Sequence, residues 1–191
     1  MSQPMRSIGI SASKSPLSTN AIRQRTTQIL QKFDIKDAPV PIERVAQELG
    51  LDIIREPFDG EMSGALLISE KKSIIGVNSV HSETRQRFTI AHEIGHYILH
   101  KHQKAHFDRK MLMRNAKSSQ AIDPEEIEAN RFAAELLMPY AFLKRDLEGQ
   151  ASFDPEDIDI PAMATRYKVS VQAMAIRLNG LAHHFGVRAI M

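Results

Sequence analysis

The sequence predicts an α+β fold: a small, mainly antiparallel sheet packed on a central helix, then a Glu-bearing helix and a C-terminal helical pair. Three observations carry this prediction. Strand-like apolar patterns fill residues 51–78. A helix pattern that is apolar on most faces follows at 82–100 and contains His92-Glu93-x-x-His96. Asp123-Pro124 then opens a further run of helical patterns, with acidic residues in the first turn as helix starts favour.

In chain order, residues 1–17 are expected to form a loose or disordered tail, being rich in Ser and interrupted by Pro4 and Pro16. Ser18 or Thr19 can cap a helix running to about Phe33, with Ile22, Ile29, Leu30 and Phe33 as its apolar stripe. Pro41 opens a short helix, Ile42 to Leu49, closed by Gly50. Strands are expected at 51–56, 62–68 and 73–78, with polar Ser69-Glu70-Lys71-Lys72 as the hairpin connection. An edge strand of this sheet would offer backbone groups on which an extended peptide could add. Ser82 is the expected cap of the next helix. Lys101 to Ile122 is expected to be a loop over that helix, with one strand at 107–114. Residues 18–150 are expected to form the main domain, and 151–191 a helical extension packed on it.

Composition limits the function classes. At 191 residues, 42% hydrophobic and 25% charged, the chain can build a substantial core. A net charge of +2 is too small to imply nucleic acid by itself. No cysteine is present, so disulfides and thiol catalysis are excluded and any metal must be held by His, Asp or Glu. No apolar run is long enough for a signal peptide or a membrane span, which makes the cytoplasm the expected location.

Residues four apart on a helix lie on one face, with β-carbons about 5–6 Å apart. His92 and His96 can therefore aim one imidazole nitrogen each at a single Zn²⁺, while Glu93, one position round, can reach a water beside it as general base. Two surface histidines on an ordinary helix would give the same spacing. Phe88, Ile90, Ala91, Ile94, Gly95, Ile98 and Leu99 argue against that, because they make the helix buried, where a polar group needs a partner. Gly95, mid-helix, points to a close backbone neighbour.

A catalytic zinc takes three protein ligands, so a third is required. His102 stands at the spacing of a His-x-x-Gly-x-x-His continuation, but Leu99 occupies the glycine position. The other scheme takes a Glu from the following helix. Glu125, Glu126 and Glu128 lie in its first turns, where acids also complement the helix dipole. Glu126 alone stands four before Asn130, so Glu126 could ligate while Asn130 supports a histidine ring. The Glu scheme is favoured.

The block Arg87-Phe88-Thr89-Ile90-Ala91-His92-Glu93-Ile94-Gly95-His96, with Glu126 to Pro139 (EIEANRFAAELLMP) following it, resembles the ImmA/IrrE family of zinc metallo-endopeptidases. The likeness covers roughly residues 40–139. It implies a zincin-like minimal protease fold, Zn²⁺ held by His92, His96 and Glu126, and Glu93 as the catalytic base. It also implies a protein substrate: a DNA-binding repressor of helix-turn-helix type, often encoded nearby, whose cleavage relieves repression of stress or mobile-element genes. Tyr97, His100, His102, His106 and Tyr140 are candidates for stabilising the oxyanion, and the sequence does not choose among them.

Residues 160–178 have a helix–turn–helix cadence, with Ser170 capping the second helix. Of its side chains, only Gln172, Arg177 and Asn179 suit base edges. A structural or repressor-docking pair is therefore expected ahead of DNA binding. Besides the endopeptidase, two alternatives stand: a non-catalytic or weakly catalytic module that binds a repressor or antitoxin, and a DNA-binding regulator. A pure binder would have no need of Glu93.

Overall fold

In a computed structural model, residues 16–58, 62–100, 105–108, 123–148 and 158–181 are described. Among them are seven helices and four strands: α1 (Thr19–Lys32), α2 (Ile42–Glu48), β1 (Leu51–Glu56), β2 (Gly64–Ile68), β3 (Ser73–Asn78), α3 (Glu83–Leu99), β4 (Ala105–Asp108), α4 (Pro124–Leu137), α5 (Tyr140–Glu148), α6 (Ile160–Tyr167) and α7 (Val171–Leu181). The fold class is α+β, as expected. The N-terminal tail (apart from Pro16 and Leu17), the chain around His102 and most of the expected 107–114 strand lie outside the described residues.

Local chemistry sets the element ends. Ser18 caps α1 by accepting from the Ala21 N–H, and Asp123 caps α4 from the Glu125 N–H. Gly50 ends α2 at φ 77°, a conformation that glycine enters without steric penalty.

The sheet order is β1-β3-β2-β4. The β2–β3 and β2–β4 pairings are antiparallel, whereas β1 and β3 run parallel, with Leu51 opposite Ser73 and Glu56 opposite Asn78. The expectation of a mainly antiparallel sheet is thus refined to a mixed one. The physical reason lies in the crossover after Pro57. The buried Asn78 side chain accepts from the Phe58 and Val80 N–H groups and donates to the Met62 carbonyl at 2.8 Å. That staple holds the β1–β2 connection at the end of β3, so the hairpin returns β3 between β1 and β2.

Strand alternation gives the sheet one buried face. Leu51, Leu66, Ile75 and Val77 are buried in the same core as Ile90, Ala91 and Ile94 of α3, while Ile54 and Leu67 point to the exposed side. On its other flank α3 packs on α4, and α1 packs on α4 in turn. The C-terminal pair joins this core through Met163, Tyr167, Met174, Leu178 and Leu181. Two arginines tie it further. Arg87 of α3, itself buried, donates to the Val40 and Lys168 carbonyls. Burial pulls its pKa below the ordinary guanidinium value against the opposing charges of Glu43 and Glu83. Arg177 of α7 donates to the Met138 carbonyl and pairs with Glu135 of α4.

Candidate metal centre

Three donor groups converge between α3 and α4. His92 Nε2 and His96 Nε2 lie 3.0 Å apart. Glu126 Oε2 is 3.4 Å from the first, and Glu126 Oε1 is 3.3 Å from the second. Among the described residues, these three are the group of metal-ligating side chains that could hold an ion. Zinc bonds of about 2.0–2.1 Å in a tetrahedral site place neighbouring donors about 3.3 Å apart. The two histidine nitrogens are near that spacing, and each Glu126 oxygen reaches one of them. One donor atom from each residue lies within 4.8 Å of the others, so the three groups can share one cation.

The helices explain why the donors meet. Ser82 starts α3 by accepting from the Arg85 N–H, which sets the helical register in which His92 and His96 share a face. Gly95 lets α4 approach: a β-carbon there would lie 3.1 Å from the Cα of Ala129. That contact brings the first turns of α4, and Glu126 with them, over the histidines. Both histidines are almost wholly buried, while the Glu126 side chain keeps 28% of its surface exposed. Of the three donor residues, Glu126 is the one that reaches solvent.

Asn130 lies one turn beyond Glu126, and its Oδ1 is 3.1 Å from His92 Nδ1. A carbonyl oxygen only accepts, so Nδ1 carries the hydrogen and Nε2 keeps its lone pair toward the centre. Glu93 is fully buried on the side of α3 facing β2. A β-carbon on Gly64 would lie 3.4 Å from Glu93 Oε1 and would collide with the Thr89 methyl. The bare backbone of β2 thus lets the face of α3 that carries Glu93 pack flush on the strand.

His92, His96, Glu126 and Asn130 thus meet at the α3–α4 contact, whereas Glu93, on the same helix as the histidines, is buried toward β2. Among the oxyanion candidates, His100 caps the end of α3 rather than continuing it. Tyr140 lies under the Arg23 guanidinium, 4.2 Å from its ring centre. His102 lies outside the described residues. His106 stands opposite Leu66 in the β2–β4 register.

The structure corrects one expectation. Glu128, read as one of the acids complementing the dipole of α4, is buried: it accepts from the Leu17 N–H at 2.7 Å and faces His100. Sequence reasoning also missed Gly64, although a glycine inside a strand pattern is itself a signal of close approach. Arg177 was a candidate for base edges, but its pairing with Glu135 withdraws it from solvent. A surface depression lined by Asp146, Ala162, Met163 and Arg166 contains none of the donor groups.

The chain is similar to several known proteins. A family model described as the IrrE N-terminal-like domain matches residues 46–179. An uncharacterized immunity region protein 2 of Bacillus phage phi105 is 25% identical over 118 residues, covering 62% of this chain and 68% of that protein. Metallopeptidase ImmA of Bacillus subtilis (strain 168) is 34% identical over 90 residues, covering 44% of this chain and 49% of that protein. A Mycobacterium tuberculosis transcriptional regulator of known structure superposes with a TM-score of 0.55 at 15% identity, covering 84% of this chain and 46% of that one. This last likeness concerns the fold alone. The chain spans about half the length of the metallopeptidase and of the regulator.

Proposed function

The chain belongs to the ImmA/IrrE family, and on that premise we propose that it is a zinc-dependent endopeptidase acting on a regulatory protein. The observation that carries this reading is the convergence of His92, His96 and Glu126, with one donor atom from each within 4.8 Å of the others, and Glu93 buried on the same helix as the histidines.

In this reading His92, His96 and Glu126 hold the ion, and Asn130 fixes the His92 tautomer. Bound zinc supplies Lewis acidity toward the scissile carbonyl and the attacking water. Glu93 takes the proton from that water as it adds to the carbonyl, and delivers it to the amine nitrogen as the peptide bond breaks. Exclusion of bulk water around Glu93 strengthens its electrostatic coupling to the reacting groups. The same arrangement supports the zincin-like minimal fold expected from the sequence.

The substrate is proposed to be a helix-turn-helix repressor encoded nearby, whose cleavage relieves repression. The names of the two relatives, an immunity region protein and a metallopeptidase, support that class. The engagement of Arg177 with Glu135 leaves α7 fewer groups for base edges and weighs against direct DNA binding.

Two measurements test the reading in sequence. Elemental analysis should find about one zinc per chain in wild type and Glu93→Gln, and little in Glu126→Ala. Comparison of host proteomes carrying wild type or Glu93→Gln should then show repressor fragments only with wild type. Identical fragment profiles from zinc-loaded proteins would sink the protease reading and leave a repressor- or antitoxin-binding module.

A further inference from the structure

Glu128 is a buried carboxylate that the proposed hydrolysis does not use. Only about 9% of its side chain is exposed. A dipole-complementing acid stays in water; a carboxylate withdrawn from it loses solvation that specific contacts must replace. Glu128 Oε1 accepts from the Leu17 N–H at 2.7 Å, at the entrance to α1. Oε2 lies 3.8 Å from His100 Nε2, while Glu125 Oε1 lies 3.9 Å from the Nδ1 of the same ring. The His100 ring, 8% exposed, stands 5.4 Å from the ring of His96, centre to centre. Glu128, on α4 two residues after Glu126, thus contacts two other segments: Leu17, just before the α1 cap, and His100 at the end of α3.

We propose that Glu128 is a positioning residue for the metal centre: it holds the Leu17 backbone and the His100 ring, and thereby fixes the turn of α4 from which Glu126 reaches the ion. This rests on the reading of His92, His96 and Glu126 as the zinc ligands. Loss of the carboxylate frees the first turns of α4 from α1 and removes the wall behind His100. Glu126 then no longer sits in place before the ion arrives. Outer partners that orient ligands typically change metal affinity about 10–100-fold.

The test titrates Zn²⁺ into metal-free wild type, Glu126→Ala, Glu128→Ala, Glu128→Gln and Leu17→Pro against a chromophoric chelator, and records the visible spectra of the Co²⁺ forms. Wild type should bind one ion tightly and Glu126→Ala should not. Glu128→Ala should bind about 10–100-fold more weakly with altered cobalt bands. Glu128→Gln keeps an oxygen for the Leu17 N–H, and should recover affinity to within about threefold of wild type. Wild-type affinity and cobalt bands in Glu128→Ala, with binding lost in Glu126→Ala, overturn the role of Glu128 and leave the metal centre standing. A Glu128→Gln variant as weak as Glu128→Ala overturns the hydrogen-bond account. No zinc in wild type, or full binding in Glu126→Ala, overturns the ligand assignment and this proposal with it. If Glu128→Ala does not fold without metal, Leu17→Pro reads the same bond from its donor side. A roughly tenfold loss is then expected, and unchanged affinity overturns the proposal.

Discussion

Gly95 and Ala129 set the distance between the two helices of the metal centre. A β-carbon on Gly95 would lie 3.1 Å from the Ala129 Cα and 3.2 Å from its carbonyl oxygen, and backbone cannot step aside as a side-chain tip can. Gly95 lies between His92 and His96 in sequence, and Ala129 between Glu126 and Asn130. A close backbone approach of α3 and α4 therefore lies where the donors meet.

Gly95→Ala pits two effects against each other. Helix propensity favours alanine by about 1 kcal/mol, whereas overpacking costs about 1–3 kcal/mol. Against rigid backbone the second should win, with net destabilisation of up to about 2 kcal/mol and weaker zinc binding. Denaturant unfolding and a metal titration check both; a more stable variant with full affinity would refute the argument.

Asn130→Ala should weaken zinc binding about 10–100-fold by releasing the His92 ring. Asn130→Asp, which still accepts from Nδ1–H, should retain most of it. Calorimetric titration of the two variants decides the matter, and equal affinity in wild type and Asn130→Ala would contradict the tautomer assignment.

Metal removal should be visible in stability. Zinc at about 100 times its dissociation constant should stabilise the wild type by about 2.7 kcal/mol. Thermal unfolding with zinc and with excess chelator should differ for wild type and coincide for His96→Ala.

Arg177→Ala leaves the buried Glu135 with Arg23 at 3.6 Å and the Tyr140 N–H as its remaining partners. Breaking one side of a buried pair costs about 3–5 kcal/mol; the remaining partners put the expected loss at the lower end. A loss below about 1 kcal/mol in chemical unfolding would mean that the pair adds little.

Acid stability should depend on Asp146. Burial alone would raise its pKa, but hydrogen bonds from Arg166 and Tyr167 and the charges of Arg166 and Arg145 more than offset this and hold it below its ordinary 3.8. A carboxylate depressed in the folded state contributes stability above its unfolded value, and that contribution is lost as pH falls through the folded value. Unfolding midpoints measured from about pH 6 downward should therefore fall more steeply below about pH 4 for wild type than for Asp146→Asn. Parallel curves would remove Asp146 from the account.

Much of the site was legible because its signals are local. The four-residue spacing of His92 and His96 fixes a shared face once a helix forms, and the Asp123-Pro124 cap, the carboxylate of Glu126 and its spacing from Asn130 lie within two turns of α4. The same locality made the strand segments, Ser18, Ser82 and the C-terminal pair readable. Where signals were ambiguous, burial decided. The spacing to Asn130 singles out Glu126 in the sequence, but Glu128 looks there like an ordinary acid of the first turns. Only the packing of the segment before α1 and the end of α3 shows it to be buried.

The sequence by itself determined the helix that carries His92, Glu93 and His96, the start of α4, and the ligand chemistry open to a chain without cysteine. These follow from periodicity, capping and side-chain type, which act over a few residues. Only the tertiary structure decided that β3 lies parallel to β1, that Glu128 holds Leu17, that Arg177 belongs to Glu135 rather than to solvent, and that Gly64 lies against the helix face bearing Glu93. Each of those joins residues far apart in the chain, and such pairings are set by the shape of a shared core that no local pattern encodes.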